Sequence, residues 1–278
     1  MHPTVPILRL ASQRGTVRHI DEVPAGLACQ CTCVSCGETL VAKKGPLVTH
    51  HFAHVSGANC TGACETALHM AAKQALQRRL ITSLPPVLVE YKTQRPALVV
   101  SGGQTIRFIS VQLEAPQAEL IVDALGICYN DRIAIEVRVT HPVDSRKIDR
   151  LKDLNLSALE IDLSTAPRDL TIQEIESLVV DERNNKHWLH HHSAEEARSQ
   201  AIAASKLLPI ILRRSSRHVD WCPLEHWHYK GKPYANVEFH CEVCPHALEI
   251  SPEKGHVICD AKPSRSGNQN ELFPNSDA

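Results

Sequence analysis

Long apolar runs are missing from this 278-residue chain: none approaches the roughly 18–20 residues a membrane span requires. The opening stretch, MHPTVPILRLASQRG, lacks the continuous apolar core of a secretory signal. A membrane role is therefore excluded and a cytoplasmic location expected. Charge bias is missing as well. With 30 basic and 31 acidic residues and a net charge of -1, the global balance neither demands nor forbids a nucleic-acid partner, which would need a local basic face. Aromatic residues are scarce at 4%, and there is no internal repeat. Against these absences stand 11 cysteines and 17 histidines. In a cytosolic protein, reduced cysteines at short spacings beside histidines are more often metal ligands than disulfides, and an odd count argues against complete internal pairing.

The cysteines fall at two ends. Cys29, Cys31, Cys33, Cys36, Cys60 and Cys64 lie in the first quarter, Cys222, Cys241, Cys244 and Cys259 in the last, and Cys128 alone between. The middle opens with CETALHMAAKQALQRRLI, where Leu68, Ala72, Ala75, Leu76 and Leu80 make a helical stripe that Pro85 and Pro86 bring to a stop. Strands are expected at 87–93, 107–113, 120–126 and 132–140, with Tyr129, Asn130 and Asp131 as the turn between the last two. A helix follows over 144–155 and a short strand over 157–164. Helix, strands, helix and strand in that order imply a mixed α/β sheet covered by helices. The stretch 171–208 reads as largely helical, interrupted at its histidine run, and the polar 263–278 reads as disordered.

In CTCVSCGETLVAKKGPLVTHHFAH, Cys33-x-x-Cys36 offers two thiolates on a tight turn, suited to two corners of a tetrahedral Zn2+ site. The remaining corners come from His51 and His54, with His50 beside them and Cys29, Cys31 or Cys60 as substitutes. In the last quarter Cys241-x-x-Cys244, flanked by Cys222 and Cys259, fits a second, ribbon-like Zn2+ module, since so short a segment buries too little apolar surface to stand alone. Cys222 and His226 could make a half-knuckle. Arg213, Arg214, Arg217, Lys230 and Lys232 make this end basic, which suits either a solvated face or a DNA contact.

In AELIVDALGICYNDRIAIEVRVT, two apolar runs are interrupted by Asp123 and Glu136. On adjacent strands these carboxylates would repel. A divalent cation such as Mg2+ or Mn2+ relieves that cost, activates water and stabilises charge on a phosphate. Arg138, two residues beyond Glu136, shares its strand face and could hold that phosphate. Glu65, His69 and Lys73, spaced by four, form a polar row on the preceding helix. Glu65 is the candidate third metal carboxylate, and His69 the phosphate contact or proton carrier.

The segments GLACQCTCVSCGETLVAKKG, HHFAH, ETALHMAAKQAL, VDAL and IAIEVRVTH together resemble the CoiA-like competence nucleases over about residues 26–164. The resemblance implies a restriction-endonuclease-like fold of the PD-(D/E)xK type and metal-dependent cleavage of DNA. Asp123 and Glu136 match the two core acids and Glu65 the helix acid. The third core position, normally lysine or glutamine, is Arg138, which keeps the charge but cannot act as a base. Either Lys147 or Lys73 then stands in for the lysine, or the site binds DNA and cuts it poorly.

The resulting organisation is an N-terminal segment (1–20), a zinc module (21–62), a nuclease core (63–183), a helical linker (184–214), a zinc ribbon (215–262) and a disordered tail (263–278). The expected function is a divalent-metal-dependent nuclease in DNA recombination, repair or defence. Its rival is a zinc-stabilised adaptor that holds DNA, or a partner helicase, ATPase or recombination protein, with a degenerate site. Oligomeric state is left open.

Overall fold

Arg14 and Gly15 both adopt positive φ, the geometry of a two-residue hairpin turn, and they join β1 (Leu10–Gln13) to β2 (Thr16–His19). With β3 (Gly26–Thr32), β4 (Thr39–Lys43) and β5 (His51–His54) these form an antiparallel sheet in the order β2-β1-β3-β4-β5. The strands' inward residues Ala11, Cys29, Cys31, Leu40, Ala42 and Phe52 form a small core of their own. The computed structural model describes residues 7–58 and 60–263.

Helix α1 (Ala63–Arg79) follows; its buried face is rich in alanine at 67, 71, 72 and 75, with Leu68 and Leu76. Small residues let the helix lie close to the strands beneath it. It ends at Leu80, which takes a left-handed conformation as the C-cap. Then come β6 (Ile81–Leu84), the hairpin strands β7 (Val87–Val89) and β8 (Leu98–Ser101), and β9 (Gln104–Arg107). The central sheet is β10 (Ser110–Gln117), β11 (Leu120–Ile127), β12 (Arg132–Arg138), β13 (Ser157–Asp162) and β14 (Lys186–His190), in that spatial order. All neighbours are antiparallel except β12 and β13, which helix α2 (Ser145–Asp153) connects as a parallel pair. Helix α3 (Ile172–Val180) and α1 cover the face formed by Ala124, Ile133, Ile135, Val137, Leu159 and Ile161.

Helix α4 (His192–Ala203) leads to β15 (Lys206–Arg213), β16 (Ser216–Asp220), β17 (Trp227–Tyr229), β18 (Lys232–Asn236), β19 (Ala247–Ser251) and β20 (His256–Cys259). These six strands form one sheet, β17-β18-β16-β15-β20-β19. The chain divides into two units that break at Val87/Leu88, Val100/Ser101 and Ser193/Ala194, so residues 88–100 belong to the second unit together with the C-terminal sheet.

Two expectations change. Residues 184–214, read as a helical linker, contain the fifth strand of the central sheet and the first long strand of the next, with α4 between them. Lys186–His190 pairs with β13, and Trp188 and the histidines tolerate a strand as well as a helix. Residues 10–19, read as a lead-in, are two strands of the front sheet. The expected tail lies, apart from residue 263, outside the described residues. Among the described residues no helix is long and apolar enough to cross a membrane.

Candidate functional site

Strands β11 and β12 pair from Ile127↔Arg132 to Ala124↔Ile135 and then part, although both run on. Asp123 and Glu136 stand at the next step, where the ladder opens. There the Asp123 side chain replaces a backbone acceptor: the Val137 N–H donates to its Oδ2 at 2.8 Å. The same oxygen lies 2.9 Å from His69 Nε2 on α1, and Lys73 Nζ lies 3.9 Å from Oδ1. Lys73 is buried and also bonded to Glu114. Burial opposes the charge on Asp123, but His69, the Val137 amide and Lys73 outweigh it and hold the carboxyl below its ordinary range.

Glu136 is buried, and Lys147 Nζ, from the first turn of α2, sits 2.7 Å from its carboxylate. The Asp144 side chain caps that helix by accepting from the Arg146 N–H at 3.1 Å, which fixes where Lys147 starts. Burial pushes Glu136 up to about 7, Lys147 pulls against this, and the charge of Asp123 adds to the rise. Arg138 points at other acids: its Nη1 is 3.2 Å from Asp162 Oδ2 and 3.9 Å from Glu160 Oε1. Glu65, in the first turn of α1, is 4.0 Å from Arg168 Nε and shares a small cavity with His69, Val137, Thr140 and His141.

The sequence reading missed Glu160. It lies opposite Glu136 in the parallel β12–β13 register and is almost fully buried. It accepts from the Val143 N–H at 3.3 Å, and His187 Nε2 is also 3.3 Å away. The signal was present, an acid inside the apolar run SALEIDLS, and is the same signal that singled out Asp123 and Glu136.

Among the described residues, one group of three or more Cys, His, Asp or Glu side chains brings its ligand atoms within 4.8 Å of one another, and it lies in the front sheet: Cys33, Cys36, His54 and Cys60. Cys33 and Cys36 bracket a turn closed by Gly37 N–H to Cys33 O at 2.9 Å, and Gly37 has the positive φ that glycine adopts freely. Cys33 Sγ is 4.0 Å from Cys60 Sγ, and Cys36 Sγ 3.4 Å from His54 Nε2. Tetrahedral zinc with sulfur at about 2.3 Å separates two sulfurs by roughly 3.8 Å, so this three-sulfur, one-nitrogen set fits Zn2+. The Glu38 backbone N–H is the main influence drawing the exposed Cys36 thiol down to about 7, toward the thiolate that a metal needs.

A model for the competence protein CoiA N-terminal domain matches residues 23–63. The chain therefore carries a segment similar to the CoiA N-terminal domain. Neither the curated proteins nor the solved structures contain a match. The CoiA N-terminal domain spans β3 to β5 and holds all four residues of the cluster.

His51, read from sequence as a ligand, does not belong to the cluster; its Nδ1 lies 2.8 Å from the Thr49 carbonyl oxygen. The reason is strand geometry. His51 and His54 are three residues apart on β5, and an odd spacing sends side chains to opposite faces. Cys60, one of the weighed substitutes, occupies the place. Cys29 and Cys31, the others, are core thiols bonded to the Leu40 and Cys29 carbonyls. Beyond the CoiA N-terminal domain, Cys222, Cys241, Cys244 and Cys259 line one small cavity together with His226 and His240, less tightly gathered than the front cluster.

Proposed function

We propose that this protein is a divalent-metal-dependent nuclease acting on DNA, built on a restriction-endonuclease-like core. The observation that carries the reading is the opening of the β11–β12 ladder at Asp123 and Glu136, a half-buried and a buried acid served by His69 and Lys147. The order helix, three antiparallel strands, helix and parallel strand supports the same core. Asp123 and Glu136, with Glu65 as the third carboxylate, would hold Mg2+ or Mn2+, which supplies Lewis acidity toward water and phosphate. His69 keeps Asp123 ionised and oriented. Lys147 carries the positive charge nearest to Glu136 and is the cation for a phosphate oxygen, because Arg138 is already engaged by Asp162. Zinc at Cys33, Cys36, His54 and Cys60 is structural, as is a second zinc proposed for Cys222, Cys241, Cys244 and Cys259.

The pairing of Arg138 with Asp162 and Glu160 favours a second reading, an adaptor that holds DNA or a partner helicase, ATPase or recombination protein without cutting. One assay separates them. Linear duplex, single-stranded and branched DNA is incubated with the protein and Mg2+ or Mn2+. Asp123→Ala and Glu136→Ala should each abolish cutting with zinc content unchanged. Lys147→Ala should lose about 100-fold in rate, and Arg138→Gln less than tenfold. Cutting that persists in both acid variants would sink the assignment; no cutting with DNA binding retained would favour the adaptor.

A further inference from the structure

One face of the C-terminal sheet is unlike the rest of the molecule. Cross-strand partners point to the same side of a sheet, so the registers Arg213↔Ser216, Asp220↔Tyr234, Trp227↔Tyr234 and Tyr229↔Lys232 place Arg213, Tyr234, Lys232, Trp227 and Tyr229 together. Val219 and Ala235, their alternates, lie on the other side in the core that contains the cysteines. Aromatic residues are only 4% of the chain, and two of its three tryptophans are exposed in this region, Trp221 at 60% and Trp227 at 44%, with Tyr229 at 54%. Trp227 meets His240 edge-on at 4.4 Å and Tyr234 at 5.6 Å, and leaves the rest of its ring open to solvent.

Cations are interleaved with them. Arg213 lies 5.4 Å from the Tyr234 ring centre and 5.7 Å from that of Tyr229. Lys230 Nζ is 5.5 Å from the Tyr229 centre and Lys232 Nζ 5.7 Å from that of Trp221. Arg213 is neutralised by Asp220 at 2.5 Å, but among the described residues neither lysine has an acidic partner. Flat exposed rings invite other flat rings, and unpaired ammonium groups at their edges invite anions. A neutral sugar would leave the lysines unused, and duplex DNA hides its base faces inside the stack.

We infer that this face binds single-stranded nucleic acid, with bases stacked on Trp227, Tyr229 and Tyr234 and phosphates held by Lys230 and Lys232. The inference stands on the second unit alone and does not need the nuclease reading.

The test uses the full-length chain carrying Glu136→Gln, without added Mg2+ or Mn2+, and fluorescence anisotropy of a labelled oligo-dT against a duplex of equal length. Oligo-dT should bind more tightly than duplex. Trp227→Ala and Tyr229→Ala should each weaken binding about tenfold, and Trp227→Phe should restore it to within about threefold. The joint change Lys230→Gln and Lys232→Gln should flatten the plot of log affinity against log salt by about 0.7 per lysine. Unchanged thermal melting of each variant separates lost contact from lost fold. Equal or tighter binding of duplex, no binding of oligo-dT, or ring variants that bind like the parent would overturn the inference. No cleavage by the chain that retains Glu136, with Mg2+ or Mn2+ added and oligo-dT binding intact, would count against the nuclease reading alone.

Discussion

The Ser193 N–H donates to His191 Nδ1 at 3.2 Å, a bond that only the neutral imidazole can accept. Trp188 meets the same ring edge-on at 4.4 Å, and His192 stacks at 5.0 Å. Burial first, then His192, lower this histidine to about 4, with Asp131 opposing and His190 adding a lesser downward push. The folded state therefore binds fewer protons than the unfolded one between pH 6.5 and 4. Its contribution is fully present above pH 6.5 and lost progressively as pH falls toward 4, by about 3 kcal/mol at most. Urea unfolding at pH 7 and pH 5 should show this loss, and His191→Gln should remove part of the slope. At this scale the sequence was informative where chemistry conflicted with environment. Asp123 and Glu136 stood out as acids in apolar runs, while their partners His69 and Lys147 came only from helical spacing and resemblance. That Arg138 turns to Asp162 was not legible, because the acid that holds it lies 24 residues on, brought alongside by a parallel crossover.

Elements were legible in type more than in extent. The helices at 63–79 and 145–153 and the strands carrying both acids follow the expected periodicities. The strand at 186–190 did not, because its histidine-rich sequence satisfies either period and only its seat beside β13 decides. The face of β5 was misread by treating two histidines three apart as neighbours, which holds on a helix and fails on a strand. Close packing within one element gives a sharp test. A Cβ added at Gly126 on β11 would lie 2.6 Å from Cδ1 and 2.9 Å from Cζ of the buried Phe108 ring. Gly126→Ala should cost about 1–3 kcal/mol in urea unfolding, and Phe108→Leu in the same chain should recover part of it.

At the scale of the whole molecule, the two units each carry a cysteine module, which makes metal content additive. The purified protein should hold two zinc ions per chain by atomic absorption. Cys60→Ser should release the one in the first unit and Cys241→Ser the one in the second, while His51→Ala should retain both. Loss of zinc on His51→Ala with retention on Cys60→Ser would reverse the ligand assignment drawn from the β5 geometry.

The excursion at 88–100 has a consequence in time. Val89 and Tyr91 are buried against Leu248 and Ile258, which are synthesised about 150 residues later. At ribosomal speeds that interval is on the order of ten seconds. For that period the β7–β8 hairpin has been made but lacks the C-terminal residues that bury Val89 and Tyr91, while residues 101–193 of the first unit are still being added. The second unit thus has its earliest piece in hand long before it can fold, so its folding is necessarily late and closes over a segment made before most of the first unit.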